Sequence, residues 1–306
     1  ELAANRLNMG QATFHRKRKD ALPKLAEKLE QLEQTCLADH RQRMTQRLPV
    51  QTYLARLGEQ TEIASLCQLL RARTAPWLVA ITGIGGIGKT TLADVIARQM
   101  IDDANWAAIG WLTAPQSIPN AGGALATEAR PTLTDSALID GLASQLLDET
   151  SPNGRRTSAE SLALLESLLK RLPHLIVIDN LESEADLKEL LPTLRRLANP
   201  SKFLITSRSS FFAAPDLYHW VAPQLDVPNA LALLRLEAQV RNIPEVLAAS
   251  DAELLPIYDT VGGNPLALKL VSGQLRIYSL PTILEDLHKA RTSHIEELYA
   301  HIYSRA

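Results

Sequence analysis

The chain has 306 residues, 46% of them hydrophobic and 22% charged, with a formal net charge of −2. That is enough chain for one large or two medium domains with their own cores, and so even a balance gives no overall basic field, which leaves only a local patch for nucleic acid. Two cysteines, Cys36 and Cys67, make neither a disulfide framework nor a zinc spacing, and no apolar run nears the ~20 residues of a membrane span, so a reducing, cytoplasmic setting and no membrane partner are expected.

The chain opens at Glu1 without methionine or a signal-peptide pattern, and it stops at Ala306 inside a helical pattern; an excised fragment is the expectation. Residues 1–50 form an N-terminal helical segment with ten Lys/Arg against six Asp/Glu. Leu22, Leu25, Leu29, Leu32 and Cys36 recur at spacings of three and four, one face of a helix. Pro23 either starts a second helix there or kinks one. The polar run HRQRMTQRLPVQT (40–52) reads as a linker. Within the segment, LNMGQATFHRKRKDAL (7–22) has two readings. It could be a partial helix-turn-helix with Leu7 and Ala21/Leu22 in the core, Gly10 in the turn and HRKRK (15–19) presented to a DNA groove through residues 11–19. The blander reading, a solvated basic face, is favoured by the residues alone.

Residues 51–227 alternate short apolar runs with helical patterns. WLVAIT (77–82), WAAIGWL (106–112), LIVID (175–179), KFLITS (202–207) and YHWVA (218–222) are predicted strands. Helices are predicted near 90–101, 135–148, 158–171 and 185–198, and exposed loops over 115–131 and 151–158. Strands and helices of this length alternating along the chain predict an α/β fold with a parallel sheet and helices on both faces. Over 228–306 the strands cease, and five helical segments (228–242, 252–262, 265–277, 281–290, 294–304) predict an all-helical subdomain, several of them opening on proline.

The densest signal is Gly83-Ile84-Gly85-Gly86-Ile87-Gly88-Lys89-Thr90, which fits the phosphate-binding P-loop between a predicted strand and a predicted helix. Main-chain N–H groups must converge there on phosphate oxygens, which Cβ atoms at Gly83, Gly85, Gly86 and Gly88 would hinder. The helix starting near Lys89 aims its N-terminal dipole at the same anion. Lys89 is expected on the terminal phosphates, Thr90 on Mg²⁺, and Thr91 one position on, near the α-phosphate. HLIVIDNLE (174–182) ends a strand on Asp179, the expected second metal-side residue, followed by Asn180 and then Glu182. Arg208, at the end of KFLITSR, either reaches a γ-phosphate or makes a surface ion pair.

With Gly83–Thr91, LIVIDNLE, LITSR and GGNPLALKL (262–270) in this order, residues 53–306 resemble the NB-ARC ATPases, signalling NTPases of the STAND class related to AAA+ proteins. The resemblance implies a five-stranded P-loop NTPase sheet with the LITSR strand between the P-loop strand and the LIVID strand. It also implies that Arg208 senses the γ-phosphate and that Pro265 packs on adenine. LARLGEQTEI (54–63) is similar to the family's base-side element, so Leu57 and Gly58 are expected near adenine, although Glu59 stands where the family has arginine. Asn180 replaces the family's usual second acid, and an amide takes no proton from water, so slow hydrolysis is expected unless Glu182 supplies a carboxylate. The family's winged-helix subdomain would begin after residue 306.

The reading is an ATP/ADP- and Mg²⁺-dependent switch of a transcriptional or defence type, with ATP-dependent assembly of copies and an unidentified protein partner. A conventional turnover ATPase and a DNA-binding regulator with a structural nucleotide are the alternatives.

Overall fold

The computed structural model describes residues 11–51, 53, 60–103, 105–115, 133–147, 156–181, 184–208 and 214–290. Its contacts divide the chain into two compact units, Glu1–Arg47 and Leu48–Ala306.

The first unit contributes one helix, α1 (Gln11–Arg47), 37 residues long and uninterrupted at Pro23. Two expectations change here. The polar run after residue 40 is not a linker up to Arg47 but the last two turns of α1. Ala21 and Leu22, expected in the core of a helix-turn-helix, are exposed; residues 7–10 of that motif lie outside the described residues. The leucine face of α1 is exposed as well.

The second unit opens with α2 (Gln60–Arg71), followed by β1 (Leu78–Thr82) and α3 (Lys89–Ile101). Next come β2 (Ala108–Thr113), α4 (Asp135–Leu146), α5 (Ser158–Arg171) and β3 (His174–Asp179). After α6 (Glu184–Leu197), β4 (Lys202–Ser207) and β5 (Leu217–Val221) finish the sheet. All pairings are parallel in the order β2-β3-β4-β1-β5, so the LITSR strand does lie between the P-loop and LIVID strands. β1, β3 and β4 are buried at every position, the mark of a parallel sheet covered on both faces. Their β-branched and aliphatic runs suit that environment.

The rest is helical: α7 (Val227–Arg241), α8 (Pro244–Ala248), α9 (Asp251–Val261), α10 (Pro265–Gln274) and α11 (Leu280–Ala290). The short α8 was not anticipated, and α10 stops three residues before the expected 277. The segment 294–304 lies outside the described residues, as does most of each expected loop. This part has its own core, centred on Leu231, Leu234, Leu254, Ile257, Leu268 and Val271, distinct from the one around the sheet. Among the described residues no helix is long and apolar enough to cross a membrane.

The two parts of this unit are stitched main chain to main chain. Leu225 N–H donates to Gly263 O at 2.9 Å, and a Cβ on Gly263 would land inside the Leu225 carbonyl oxygen. Only glycine permits that approach.

Candidate nucleotide site

Strand β1 delivers the chain at Thr82 to the loop 83–88, which leads into α3. The helix cap is Gly88, with no side-chain hydrogen bond onto the first turn. Five other helix starts are capped by side chains: Thr134, Thr157, Asp226, Ser250 and Asn264 each accept from the first turn of α4, α5, α7, α9 and α10. The first amides of α3 thus have no such side chain over them and face a cavity of about 300 Å³.

That cavity is lined by Gly85, Gly86, Gly88, Lys89, Thr90, Thr91, Arg208 and Pro265, all anticipated from sequence, and also by Asn180, Thr206, Ser207, Leu266 and Lys269. Gly83 and Ile87 are not in the lining, and the Ile87 side chain is buried beneath the loop. Leu57, Gly58 and Glu182 lie outside the described residues.

Below Thr90 sits a compact hydroxyl–carboxylate cluster. Thr90 Oγ1 donates to Asp179 Oδ1 at 2.8 Å and Thr206 Oγ1 donates to the same oxygen at 2.6 Å. Thr206 Oγ1 also accepts from the Asn180 main-chain N–H at 2.8 Å. Asn180 takes a positive φ of 67°, a conformation asparagine tolerates better than most residues. Its amide Nδ2 reaches Ala114 O at 3.4 Å. The acid, both hydroxyls and the strand exit are therefore fixed as one group at the C-terminal edge of the sheet. Thr206 escaped sequence reasoning because a threonine in KFLITS reads as an ordinary strand residue.

Three cations from three elements face the cavity. The Lys89 ammonium donates to Gly83 O and Ile84 O at 2.8 and 2.9 Å, which keeps it folded over its own loop. The Arg208 guanidinium lies beside Gly85, with Cζ and Nε each 3.9 Å from where a Gly85 Cβ would stand. Lys269 was missed; it is one turn beyond Pro265 on α10, and its ammonium is 3.4 Å from Glu237 of α7. Among the described residues no Asp or Glu lines the cavity. Its lining charge is positive.

Asn264 ties this loop to the helical part. Its Nδ2 donates to Gly85 O at 2.9 Å, while its Oδ1 caps α10 by accepting from Leu266 and Ala267 N–H. Leu266 N–H also approaches Gly86 O at 3.3 Å. A Cβ on Gly86, whose φ is 76°, would sit 2.5 Å from Leu266 Cβ, so α10 rests directly on bare loop backbone.

A second anchor fixes the chain just before the base-side element. Tyr53 Oη donates to Asp94 Oδ2 at 2.8 Å, Arg98 Nε donates to the same atom at 2.8 Å, and Arg98 also holds Pro49 O. Burial first, then the bond to Asp94, raises the Tyr53 pKa; the bond to Asp94 chiefly raises that of Arg98.

The donor set fits a nucleotide phosphate tail with magnesium. Lys89, Arg208 and the first amides of α3 would hold phosphate oxygens. Thr90 and Asp179 offer the hydroxyl and carboxylate that Mg²⁺ takes alongside phosphate and water.

Comparisons with known proteins support a nucleotide-binding domain. Residues 57–206 match the model of the AAA ATPase domain. The chain is 26% identical over 219 residues to Disease resistance protein RUN1 of Vitis rotundifolia, covering 69% of this chain and 15% of that protein. Among solved structures, it is similar to a STAND protein with a tetratricopeptide repeat sensor from Pyrococcus horikoshii (17% identity, 79% of this chain, 33% of that one, TM-score 0.48). It is also similar to the ORC2 protein of Aeropyrum pernix, solved as ADPNP–ADP complexes (14% identity, 79% and 71%, TM-score 0.47). Both scores lie below 0.5, and the strand order within this chain carries the fold assignment. The chain spans less than a sixth of the plant relative and a third of the Pyrococcus protein. With its glycine loop, its Thr90–Asp179 pair and the AAA ATPase domain matched over residues 57–206, this chain belongs to the P-loop NTPases.

Proposed function

We propose that the chain is an ATP/ADP switch whose hydrolysis step is slow. The observation that carries the reading is a cavity lined by Lys89, Arg208, the open start of α3 and Thr90, with Asp179 buried behind Thr90 and bonded to its hydroxyl. Bound Mg²⁺ would neutralise charge on the phosphate oxygens. Asn180, beside the acid, offers no carboxylate to take a proton from water. With α10 resting on the loop through Asn264 and Leu266, a change in loop backbone around a γ-phosphate would shift the helical part, a transition that nucleotide switches commonly use. Pro265, in the cavity wall, suits contact with the base, and ATP-dependent assembly of copies and binding of a protein partner follow from this reading.

Affinities for ATP and ADP, each with Mg²⁺, test it. Arg208→Ala should reduce the preference between the two nucleotides by about tenfold or more, the worth of a charge-assisted bond to one phosphate. An unchanged ratio refutes the sensing role. Turnover of several ATP per second by the isolated chain refutes the slow switch and favours a conventional ATPase.

One observation supports DNA contact as an added role: His15, Arg16, Lys17, Arg18 and Lys19 are all exposed on α1. Anisotropy with duplex DNA at low salt, repeated after neutralising Arg16 to Lys19, tests this; identical binding by both proteins counts against it.

A further inference from the structure

The leucine face of α1 has a second property besides exposure. Leu22, Leu29 and Cys36 fall seven apart, and Leu25 and Leu32 lie between them, so the five residues occupy the a and d positions of consecutive heptads. The four leucines are 51–57% exposed, and Cys36 is exposed too. Charged residues bound the stripe: Arg18 and Asp39 take the next d positions and His15 and Arg43 the next a positions. The outward positions hold Pro23, Lys24, Glu27, Glu30, Gln31 and Gln34. Pro23 therefore turns its ring away from the seam.

We propose that this face pairs with the same face of a second copy as a short, parallel, in-register two-stranded coiled coil. Charge selects both partner and direction. In a parallel pair the g position Lys28 lies against the e position Glu33 of the other copy, once on each side of the seam. Both residues are exposed. An antiparallel pair aligned on the same leucines would set Lys28 beside Lys28, which is repulsive. Parallel pairing also brings the two Cys36 residues into one a layer and sets the two basic stretches, 15–19, at one end.

The seam is about 21 Å long, from fourteen rises of 1.5 Å, and four leucines and a cysteine per copy bury less than the roughly 1,000 Å² of a stable interface. The pairing is accordingly weak and concentration-dependent. Salt screens both the repulsion between its like-charged basic ends and the Lys28–Glu33 attraction, so the charge dependence of the pairing should fade at high salt. The inference concerns α1 alone and stands or falls separately from the nucleotide reading.

Cys36 reports on it directly, since the only other cysteine, Cys67, is buried. Diamide takes two electrons and two protons from a pair of thiols that meet. With the full chain it should give a disulfide-linked dimer that persists in Cys67→Ser and disappears in Cys36→Ser. Lys28→Glu should slow dimer formation roughly three- to tenfold, and Lys28→Glu with Glu33→Lys should restore it. Leu25→Asp with Leu29→Asp should abolish it. Dimer yield indifferent to the leucine and charge changes would mean random collision and overturn the proposal. So would a parent that forms no dimer at any concentration. A monomeric parent whose nucleotide domain loses stability in the leucine variant would show instead that the stripe packs within its own chain.

Discussion

Thr206→Val isolates the hydroxyl that sequence reasoning missed. The side chain is 1% exposed and valine has nearly its shape, so no cavity opens and the loss is polar alone. Two bonds disappear: the 2.6 Å donation to Asp179 Oδ1 and the 2.8 Å acceptance from Asn180 N–H. A bond to a carboxylate contributes about 1.5–3 kcal/mol, and leaving a buried N–H unpaired costs about 1–3 kcal/mol. Because both effects act through one atom they will not add fully, and about 2–4 kcal/mol of lost unfolding free energy is expected. Asp179 Oδ1 would keep Thr90 as a donor but lose the other of its two hydroxyl donors, so nucleotide affinity with Mg²⁺ should fall more than affinity in EDTA. Urea unfolding and calorimetric titration with and without the metal measure both. Thr206→Ser, which keeps the hydroxyl, should recover the metal-dependent part. A valine variant within about 0.5 kcal/mol of the parent, or one equally weakened with and without Mg²⁺, would refute the account of this cluster.

Other expectations follow from the same geometry. Lys89→Ala should abolish detectable nucleotide binding by titration, while Thr90→Ala and Asp179→Asn should weaken only the Mg²⁺-dependent part and leave the circular dichroism spectrum unchanged. Asn264→Asp should keep the cap on α10 but set a buried carboxylate oxygen against Gly85 O, so thermal stability without nucleotide should fall and the added stability from ATP should shrink as well. Lys202 is buried beneath the Trp77 ring, donates to Leu69 O and Thr74 O, and has its pKa pushed down to about 8 by burial. Its folded-state value lies below the unfolded one, so the penalty for holding a proton is full below pH 8 and fades as pH rises toward the ordinary lysine value. Unfolding free energy should therefore rise over that window, by at most about 3 kcal/mol and by less to the extent that the carbonyls and the ring favour the charge; Lys202→Met should remove the rise.

Much of the sheet was legible because its signals are local. HLIVID is a β-branched run that ends in an acid, and the glycine spacing closing on Lys89 and Thr90 sets this turn apart from the glycine turn of dinucleotide-binding folds. Pairing between distant strands is not local, and the position of β4 between β1 and β3 was expected only from the resemblance to a known family, not from the residues themselves. The end of α1 was misread for a physical reason. The run from His40 to Arg47 carries one apolar residue, the buried Met44, too few to show a helical period, so it looks like a linker, although its Arg, Gln and Met residues are good helix formers. Lys269 had a usable signal: it is four residues after Pro265, and positions four apart share a helix face. Thr206 had none, since its partners Asp179 and Asn180 are 27 and 26 residues away.

Asn264 shows most clearly why local grammar falls short of function. GGNP reads correctly as a helix stop followed by a capped, proline-initiated helix, and the cap is there. The same side chain spends its other end on Gly85 O, 179 residues away in sequence. The cap makes α10 rigid at the point where it meets the loop, and the loop bond makes that point sensitive to the orientation of the Gly85 carbonyl. Together with Leu266 N–H on Gly86 O, the link amounts to two neutral hydrogen bonds, about 1–3 kcal/mol. That is the size of coupling by which one site biases another without locking it. On the proposed switch reading, a stronger tie would hold α10 fixed whatever the loop did, and a weaker one would leave the helical part deaf to the nucleotide.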